Sequence, residues 1–436
     1  MANTYLQRTT STPTSDKKGT ISFWVKKCGF GDQHMANIYI DASNRFMIKF
    51  QSDDTFVLYN QNSGTGNLYL ESSAKFRDTS AFYHVVCKID TTQGTASDRA
   101  AVYINGSEMS YAVSTYPNQN DTILWFQASK NQQFGQYNSS NYLNGVMSHI
   151  HYTDGYAYDA STFGSTDSTT GQWKINTSPS ITMGNNGFTI LKDGNTITDQ
   201  SSNSNDFTLG GGTLTNTEDC PSNVFATFNP LIANTGATFA NGNTFVYRTT
   251  SGNYRRIGCT LGATSGKYYA EFLLGADQWG GVCLTNGGDI ARTEAGNAGY
   301  MGEYADDKSV GIRNDGIVYS SGANVSSAQW NQGSLGTTDK LCLALDMDNK
   351  KLFLGKNGTW NVSSNPATNT GGISLTGDSY TFCGATSNAD CKINTGNGYF
   401  GTDAISSEGT NASGIGKFEY DVPTGFTALS TKGLNL

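Results

Sequence analysis

Asp346 and Asp348 stand two positions apart in LCLALDMDNKKLFLGKNGTW, and such paired carboxylates are what a hydrolase or a cation site would use. Their surroundings argue for a turn instead. Leu341, Leu343 and Leu345 alternate along one expected strand, and Leu352 and Leu354 along the next, which is the period-2 pattern of paired strands. Asp346 to Asn349 form the polar break between them, and Asp and Asn tolerate the backbone that tight corners need. An EF-hand loop fails here, because Lys350 and Lys351 occupy the fifth-ligand and glycine positions.

Other chemistry fares no better. Retaining glycan cleavage needs two carboxylates ~5–5.5 Å apart, as a same-face array along one strand provides. KFEYDV offers Glu419 and Asp421 with no second Glu following. Nucleophile-elbow, zincin and P-loop spacings are missing. Gly396, Gly398 and Gly401 satisfy G-x-G-x-x-G, but TDAISSEGTNASG follows with no helical period, so turns explain them. All four histidines fall in the first domain, between His34 and His151. His149 and His151 share a face if their strand is regular. His84 falls on the opposite face from Tyr83, Val85 and Cys87. Such imidazoles could hold a divalent metal, but a hydrogen-bonded structural histidine is the commoner fate. No catalytic residue, metal ligand or cofactor is assigned. Sugar recognition uses exposed aromatic faces beside amides. Trp125 and Tyr137, which flank FQASKNQQFGQ, and Trp279 and Trp330, in ADQWGG and SAQWNQG, are the candidate ligand-binding residues.

The elements that must position these residues are strands. Charged residues make up 15%, aromatics 12%, and 51 glycines stand among dense Ser, Thr and Asn. Short β-branched and aromatic runs between turn residues read as an all-β, antiparallel chain. A net charge of -8 argues against nucleic acid, which needs a basic stripe. No apolar run is long enough to span a bilayer, and MANTYLQRTTSTPTSDKKGT has no apolar signal core. Neither membrane insertion nor export is therefore expected. The 8 cysteines include strand positions such as Cys87 and Cys342 and show no C-x-x-C spacing. Reduced, buried thiols are expected.

TISFWVKK, FYHVVCKID, AVYINGSEM and YLNGVMSHIHYTDGYA occur in an order and spacing that resembles laminin-G-like domains of the concanavalin A-like superfamily. The resemblance covers residues 1–165 and implies a jelly-roll-type sandwich. It also implies a fold in which calcium can bind, although no Asp/Asn array singles out a site. Residues 166–219 read as a structured, β-rich connector, with GFTILKDGNTITDQ expected as a hairpin turning at Asp193-Gly194. From 220 to 436, GKYYAEF, SVGIRNDG and the Leu341–Trp360 stretch resemble a SPRY domain, a second antiparallel sandwich.

Taken in order, these parts resemble structural proteins of marine tailed bacteriophages. That resemblance implies a non-enzymatic virion component, a tail-fibre tip, knob or adhesin, made in a host cytoplasm. Its implied partners are other virion proteins and a host-surface glycan or receptor. A homo-oligomer, with a trimer favoured, would display it multivalently. Two other readings remain open on sequence: an architectural capsid-decoration or cement protein, and a polysaccharide-degrading tailspike.

Overall fold

The computed structural model of the protein describes residues 3–232, 236–249, 254–285 and 299–436. The fold is all-β, with only single-turn helices such as Ser326–Gln329 among these residues. It divides into two compact units. The first ends at Asn216 and takes Cys220–Ser222; the second takes Thr217–Asp219 and Asn223–Leu436.

In the first unit an eight-stranded sheet runs, in spatial order, Tyr111–Thr115, Thr65–Lys75, Thr55–Asn62, Asn44–Phe50, Gln33–Asp41, Asn131–Phe134, Tyr5–Thr9 and Thr208–Gly211. A six-stranded sheet runs Phe188–Ile190, Gly145–Asp154, Lys18–Lys27, Phe82–Asp90, Ala100–Ile104 and Ser107–Glu108. Alternation decides which face is buried. Phe46, Ile48, Phe56, Leu58 and Leu70 of the larger sheet meet Ile21, Phe23, Val25, Val85 and Cys87 of the smaller in one core. Each such side chain contributes about 1.5–3 kcal/mol on burial. Asn105 and Gly106, with φ of 49° and 83°, make the tight turn their types suit.

Residues 166–219 do not stand apart as a connector. Phe188–Ile190 joins the smaller sheet beside Gly145–Asp154, and Thr208–Gly211 joins the larger one beside Tyr5–Thr9. Ile190, Leu191 and Phe207 are part of the first core, so the sandwich is incomplete without this segment. The hairpin expected at Asp193-Gly194 forms no ladder. The reason is that Thr189, on the free side of its strand, is taken by the Asp199 carboxylate (2.9 Å) and the Gln200 amide (2.7 Å).

In the second unit Lys267–Leu274 and Leu341–Asp346 lie in a nine-stranded sheet, and Trp279–Leu284 and Tyr380–Thr386 in a six-stranded one. Ala270, Phe272, Leu343, Leu345, Val282 and Phe382 pack between them. Leu341–Asp346 and Lys351–Lys356 pair in register, with Lys350 at φ 53° in the turn. The carboxylates are therefore a corner, with Asp346 buried in it and Asp348 exposed. Asp346 is buried, accepts from the Asn349 amide (2.9 Å) and pairs with Lys267 (3.1 Å). Asp348 accepts from the Gly266 amide (2.7 Å). All eight cysteines are free thiols, and all but Cys220 are buried.

Candidate functional site

Three of the four aromatic residues singled out in the sequence are interior. Trp125 is 0% exposed, in the turn Leu124–Phe126, wedged among Phe46, Phe134 and Tyr152. Trp279 is 1% exposed and lies flat against Tyr300, ring centroids 4.4 Å apart. Trp330 is 7% exposed, belongs to the second core and donates through Nε1 to the Gly333 carbonyl (2.7 Å). None offers a face to a ligand. Glycine and glutamine beside a tryptophan mark tight packing here as readily as an open loop.

Tyr137 is different. It sits on a short loop whose next two residues, Asn138 and Ser139, have φ of 51° and 55°. Its ring stacks on His34 (4.7 Å, 11°) and meets Tyr39 edge-on (5.2 Å). His34 is held in turn by Asn37 Oδ1 (3.0 Å), an acceptor, so the imidazole carries its proton on Nδ1. Burial lowers the His34 pKa to about 4, which keeps the ring neutral beneath Tyr137.

From Tyr137 the outer face of the eight-stranded sheet continues as an aromatic and polar surface. The strands that put Phe46, Ile48, Leu58 and Leu70 into the core place Arg45, Met47, Tyr59, Gln61, Tyr69 and Glu71 on the opposite side. Register then aligns them: Tyr39 lies opposite Arg45, Arg45 opposite Gln61, Met47 opposite Tyr59, and Tyr59 opposite Tyr69. Tyr59 and Tyr69 meet edge-on at 5.8 Å. The Arg45 guanidinium lies 5.3 Å over the Tyr59 ring and donates through Nε to Gln61 Oε1 (2.8 Å). Tyr69 donates to Glu71 (2.6 Å), and burial together with that carboxylate raises the phenol to about 12. Tyr39, Arg45, Tyr59, Tyr69 and Glu71 all remain partly exposed, over a floor of buried Met47 and Val57.

At the far end of the Thr55–Asn62 and Thr65–Lys75 strands lies a polar cleft of ≈ 300 Å³, lined by Asn62, Thr65, Asn67, Asn118, Asp121 and Thr122. Asp121 is held there by the Asn118 amide (2.9 Å) and Asn67 Nδ2 (3.2 Å).

The other histidines lie on the outer face of the six-stranded sheet, which is covered. Phe163, Tyr158, Trp173 and Ile181 pack over Val86. Trp173 Nε1 donates to His84 Nδ1 (2.9 Å), so His84 Nε2 carries the proton and donates to Ser22 Oγ (3.0 Å). His151 bonds Thr189 Oγ1 (2.9 Å). The strand is not regular: a bulge between Ser148 and His151 puts His149 at φ 48°, and the His149 and His151 rings lie 6.5 Å apart. Burial lowers both His84 and His151 to about 3. Among the described residues no group of three or more His, Cys, Asp or Glu is placed to hold a metal.

In the second unit the outer face of the nine-stranded sheet is closed by the chain's own C-terminal segment. Phe418, Val422 and Phe426 pack on Tyr269, Cys342 and Phe353. Glu271 on that face is fully buried and takes four donors: the amides of Glu419 (2.9 Å) and Tyr420 (2.8 Å), Asn394 Nδ2 (3.1 Å) and the Tyr269 hydroxyl (3.1 Å). Burial pushes its carboxyl up to about 7, against the pull of those donors. It fastens the segment to the sheet.

The first unit is an antiparallel sandwich of two sheets. Residues 1–156 match the Laminin_G_3 family model, described as the concanavalin A-like lectin/glucanases superfamily. Among solved structures, the laminin α1 chain domains LG4-5 of mouse are similar at 8% identity and TM-score 0.32, over 97% of this chain and 92% of that one. The SPRY domain of human HERC1 is similar at 19% and 0.29, over 38% and 96%. The heptameric SAP-like pentraxin of Limulus polyphemus is similar at 18% and 0.27, over 34% and 69%. No curated protein matches the chain.

Four members of the candidate site, Tyr39, Arg45, Tyr59 and Tyr69, were not singled out from sequence. Part of the signal was present in NRFMIKF, TFVLYNQN and GNLYLES, where Phe46, Ile48, Phe56, Leu58, Leu68 and Leu70 alternate with Arg45, Met47, Val57, Tyr59, Tyr69 and Glu71. Reading the second set as a surface would have found Arg45, Tyr59 and Tyr69.

Proposed function

We propose that this protein is a non-enzymatic binding component of a bacteriophage virion, a tail-fibre tip, knob or adhesin, that attaches to glycan on a host surface through the tyrosine face of its first unit. The observation that carries the reading is the alignment of Tyr39, Tyr59 and Tyr69 with Arg45 and Gln61 across neighbouring strands, partly exposed. Tyrosine presents a rigid apolar ring and a hydroxyl, which suits sugar rings. The lectin-type family match supports the ligand class. The order of motifs along the chain, similar to that in tailed-phage structural proteins, supports the virion. Binding without cleavage is supported by the state of the carboxylates: Glu71 is bonded by Tyr69 and Asp32 is paired with Lys49.

A single site of this kind binds weakly, and display as a homo-oligomer, a trimer in this reading, raises attachment by ~10²–10⁴. No cofactor, nucleic acid or membrane insertion enters the proposal. A second reading, an architectural cement protein contacting virion neighbours, is favoured by one feature. Tyr111–Thr115 is an open edge of the eight-stranded sheet, uncharged, with Val113 exposed. The test is to incubate a multimerised form with host cells and with host-surface polysaccharide. Cell binding without release of oligosaccharide is expected. Released fragments would establish a tailspike enzyme, and absence of cell binding would favour the architectural reading.

A further inference from the structure

The polar cleft at the end of the first unit's larger sheet lies outside the tyrosine face. Its ≈ 300 Å³ are lined by asparagine and hydroxyl side chains and one carboxylate, Asp121. The back of the cleft is built into the core. Asn60, 0% exposed, accepts from the Leu124 amide (2.9 Å) and donates to Asn67 Oδ1 (2.7 Å). Asn67 donates in turn to Asp121 Oδ2 (3.2 Å), which also accepts from the Asn118 amide (2.9 Å). The Thr91 hydroxyl donates to the Asp121 carbonyl (2.7 Å) and fixes the backbone there. Asp121 is thus held through Oδ2. Among the described residues nothing donates to its Oδ1, and no cation pairs with it. The Asn118 side-chain amide and the Thr65 hydroxyl likewise make no hydrogen bond among these residues.

These groups select by their chemistry. An anion would meet an unpaired carboxylate. A calcium ion takes about six to eight oxygens, several of them charged as a rule, and Asp121 is the one carboxylate in the lining. An apolar ligand would find no apolar side chain there. Neutral hydroxyls fit. A hydroxyl donates to the carboxylate in a charge-assisted bond and accepts from the amide beside it.

Tyr59 links the cleft to the tyrosine face. A Cβ added at Gly66 would lie 3.3 Å from the Tyr59 hydroxyl, so the phenol reaches the strand between Thr65 and Asn67. Both of those residues line the cleft. Tyr69 stands two positions from Asn67, about 7 Å along the strand. A glycan packed on Tyr59 and Tyr69 therefore brings its next residue to the cleft.

We propose that this cleft is a second subsite, which takes one neutral hexose through its hydroxyl groups with Asp121 Oδ1 as acceptor. The proposal rests on the glycan-binding reading above and extends it from ring packing to hydroxyl recognition.

Ligand-observed NMR titration with maltotetraose, cellotetraose, laminaritetraose and mannotetraose, all in EDTA, tests this. The intact chain is expected to bind at least one of them. Asp121→Asn is expected to weaken that binding tenfold or more. The new amide can keep its oxygen toward Asn67 and the Asn118 amide, while an N–H₂ group replaces Oδ1. Thr65→Val, an exposed change that conserves shape, is expected to weaken binding severalfold. Circular dichroism melts of both variants show that they are folded. Undiminished binding by folded Asp121→Asn overturns the proposal and leaves the glycan-binding reading standing on the tyrosine face. Should Asp121→Asn not fold, undiminished binding by Thr65→Val does the same. Binding that needs calcium in place of EDTA overturns it in favour of a cation site. Equal binding of tetragalacturonate overturns the selectivity for neutral sugar. Failure of the intact chain to bind any probe overturns both this proposal and the reading it rests on.

Discussion

The two sandwiches each cover one outer sheet face with their own chain, but they cover different ones. In the first unit, Phe163 and Trp173 close the six-stranded sheet, and the eight-stranded sheet keeps Tyr39, Arg45, Tyr59 and Tyr69 partly exposed. In the second, Phe418 and Phe426 close the nine-stranded sheet, with Glu271 as the clasp. The aromatics on its six-stranded sheet interlock. Trp279 stacks on Tyr300, and Tyr319 and Tyr254 pack against that pair at 4.9 and 6.0 Å from Tyr300. Similar residue types therefore end as surface in one unit and as packing in the other. Aromatic content alone does not mark a binding face; what matters is whether the chain returns to cover it.

The contrast extends to protons, and pH is the largest lever for separating the units. His34, His84 and His151, all in the first unit, are held neutral by burial, with pKa values of about 4, 3 and 3. A folded-state value below the unfolded one means that the unfolded chain binds more protons, so stability falls as pH drops from about 6.5. By pH 4.5 each histidine should remove about 2–3 kcal/mol from the first unit. Glu271 in the second unit shifts the other way, to about 7. Its stabilising share is complete below the unfolded value near 4.5 and is lost as pH rises through 7. Calorimetry between pH 7 and 4.5 should show one transition moving down and the other holding or moving up. Both moving down together would break the comparison.

Removing the clasp comes next. Glu271→Ala would leave four donors without their shared acceptor, costing the second unit about 3–4 kcal/mol. The melt of the first unit should not move. Asp346 and Asp348 sharpen the account within a single turn. Asp346→Ala removes a buried acceptor and leaves Lys267 without its partner, at about 2–3 kcal/mol. Asp348→Ala loses one hydrogen bond at the surface and should cost about 1 kcal/mol or less. Urea titration of each variant checks the ranking.

Alternation in NRFMIKF and LCLALD made the strands legible, and the Asn105-Gly106 pair marked its turn. The segment 166–219 was not legible as part of the first sandwich. The two of its strands that join the sandwich sheets are three and four residues long, too short for a period, and their partners lie far away in sequence. Trp125, Trp279 and Trp330 misled because exposure depends on long-range packing, which neighbouring glycine and glutamine do not encode. Nothing in KYYAEFLL marks Glu271 as buried; the returning segment near Glu419 covers it. Tyr137 was singled out because it lies beside a loop, and Tyr39, Tyr59 and Tyr69 were not because they lie in strands.

The central claim is that the tyrosine face of the first unit is where ligand binds. The most direct measurement compares the intact chain with a Tyr39→Ala, Tyr59→Ala, Tyr69→Ala triple variant for binding to host-surface glycan, with melting followed in parallel. These side chains are partly exposed, so the fold should persist while affinity falls at least tenfold, about 1.4 kcal/mol. Undiminished binding by a folded triple variant would contradict the account and move the site elsewhere.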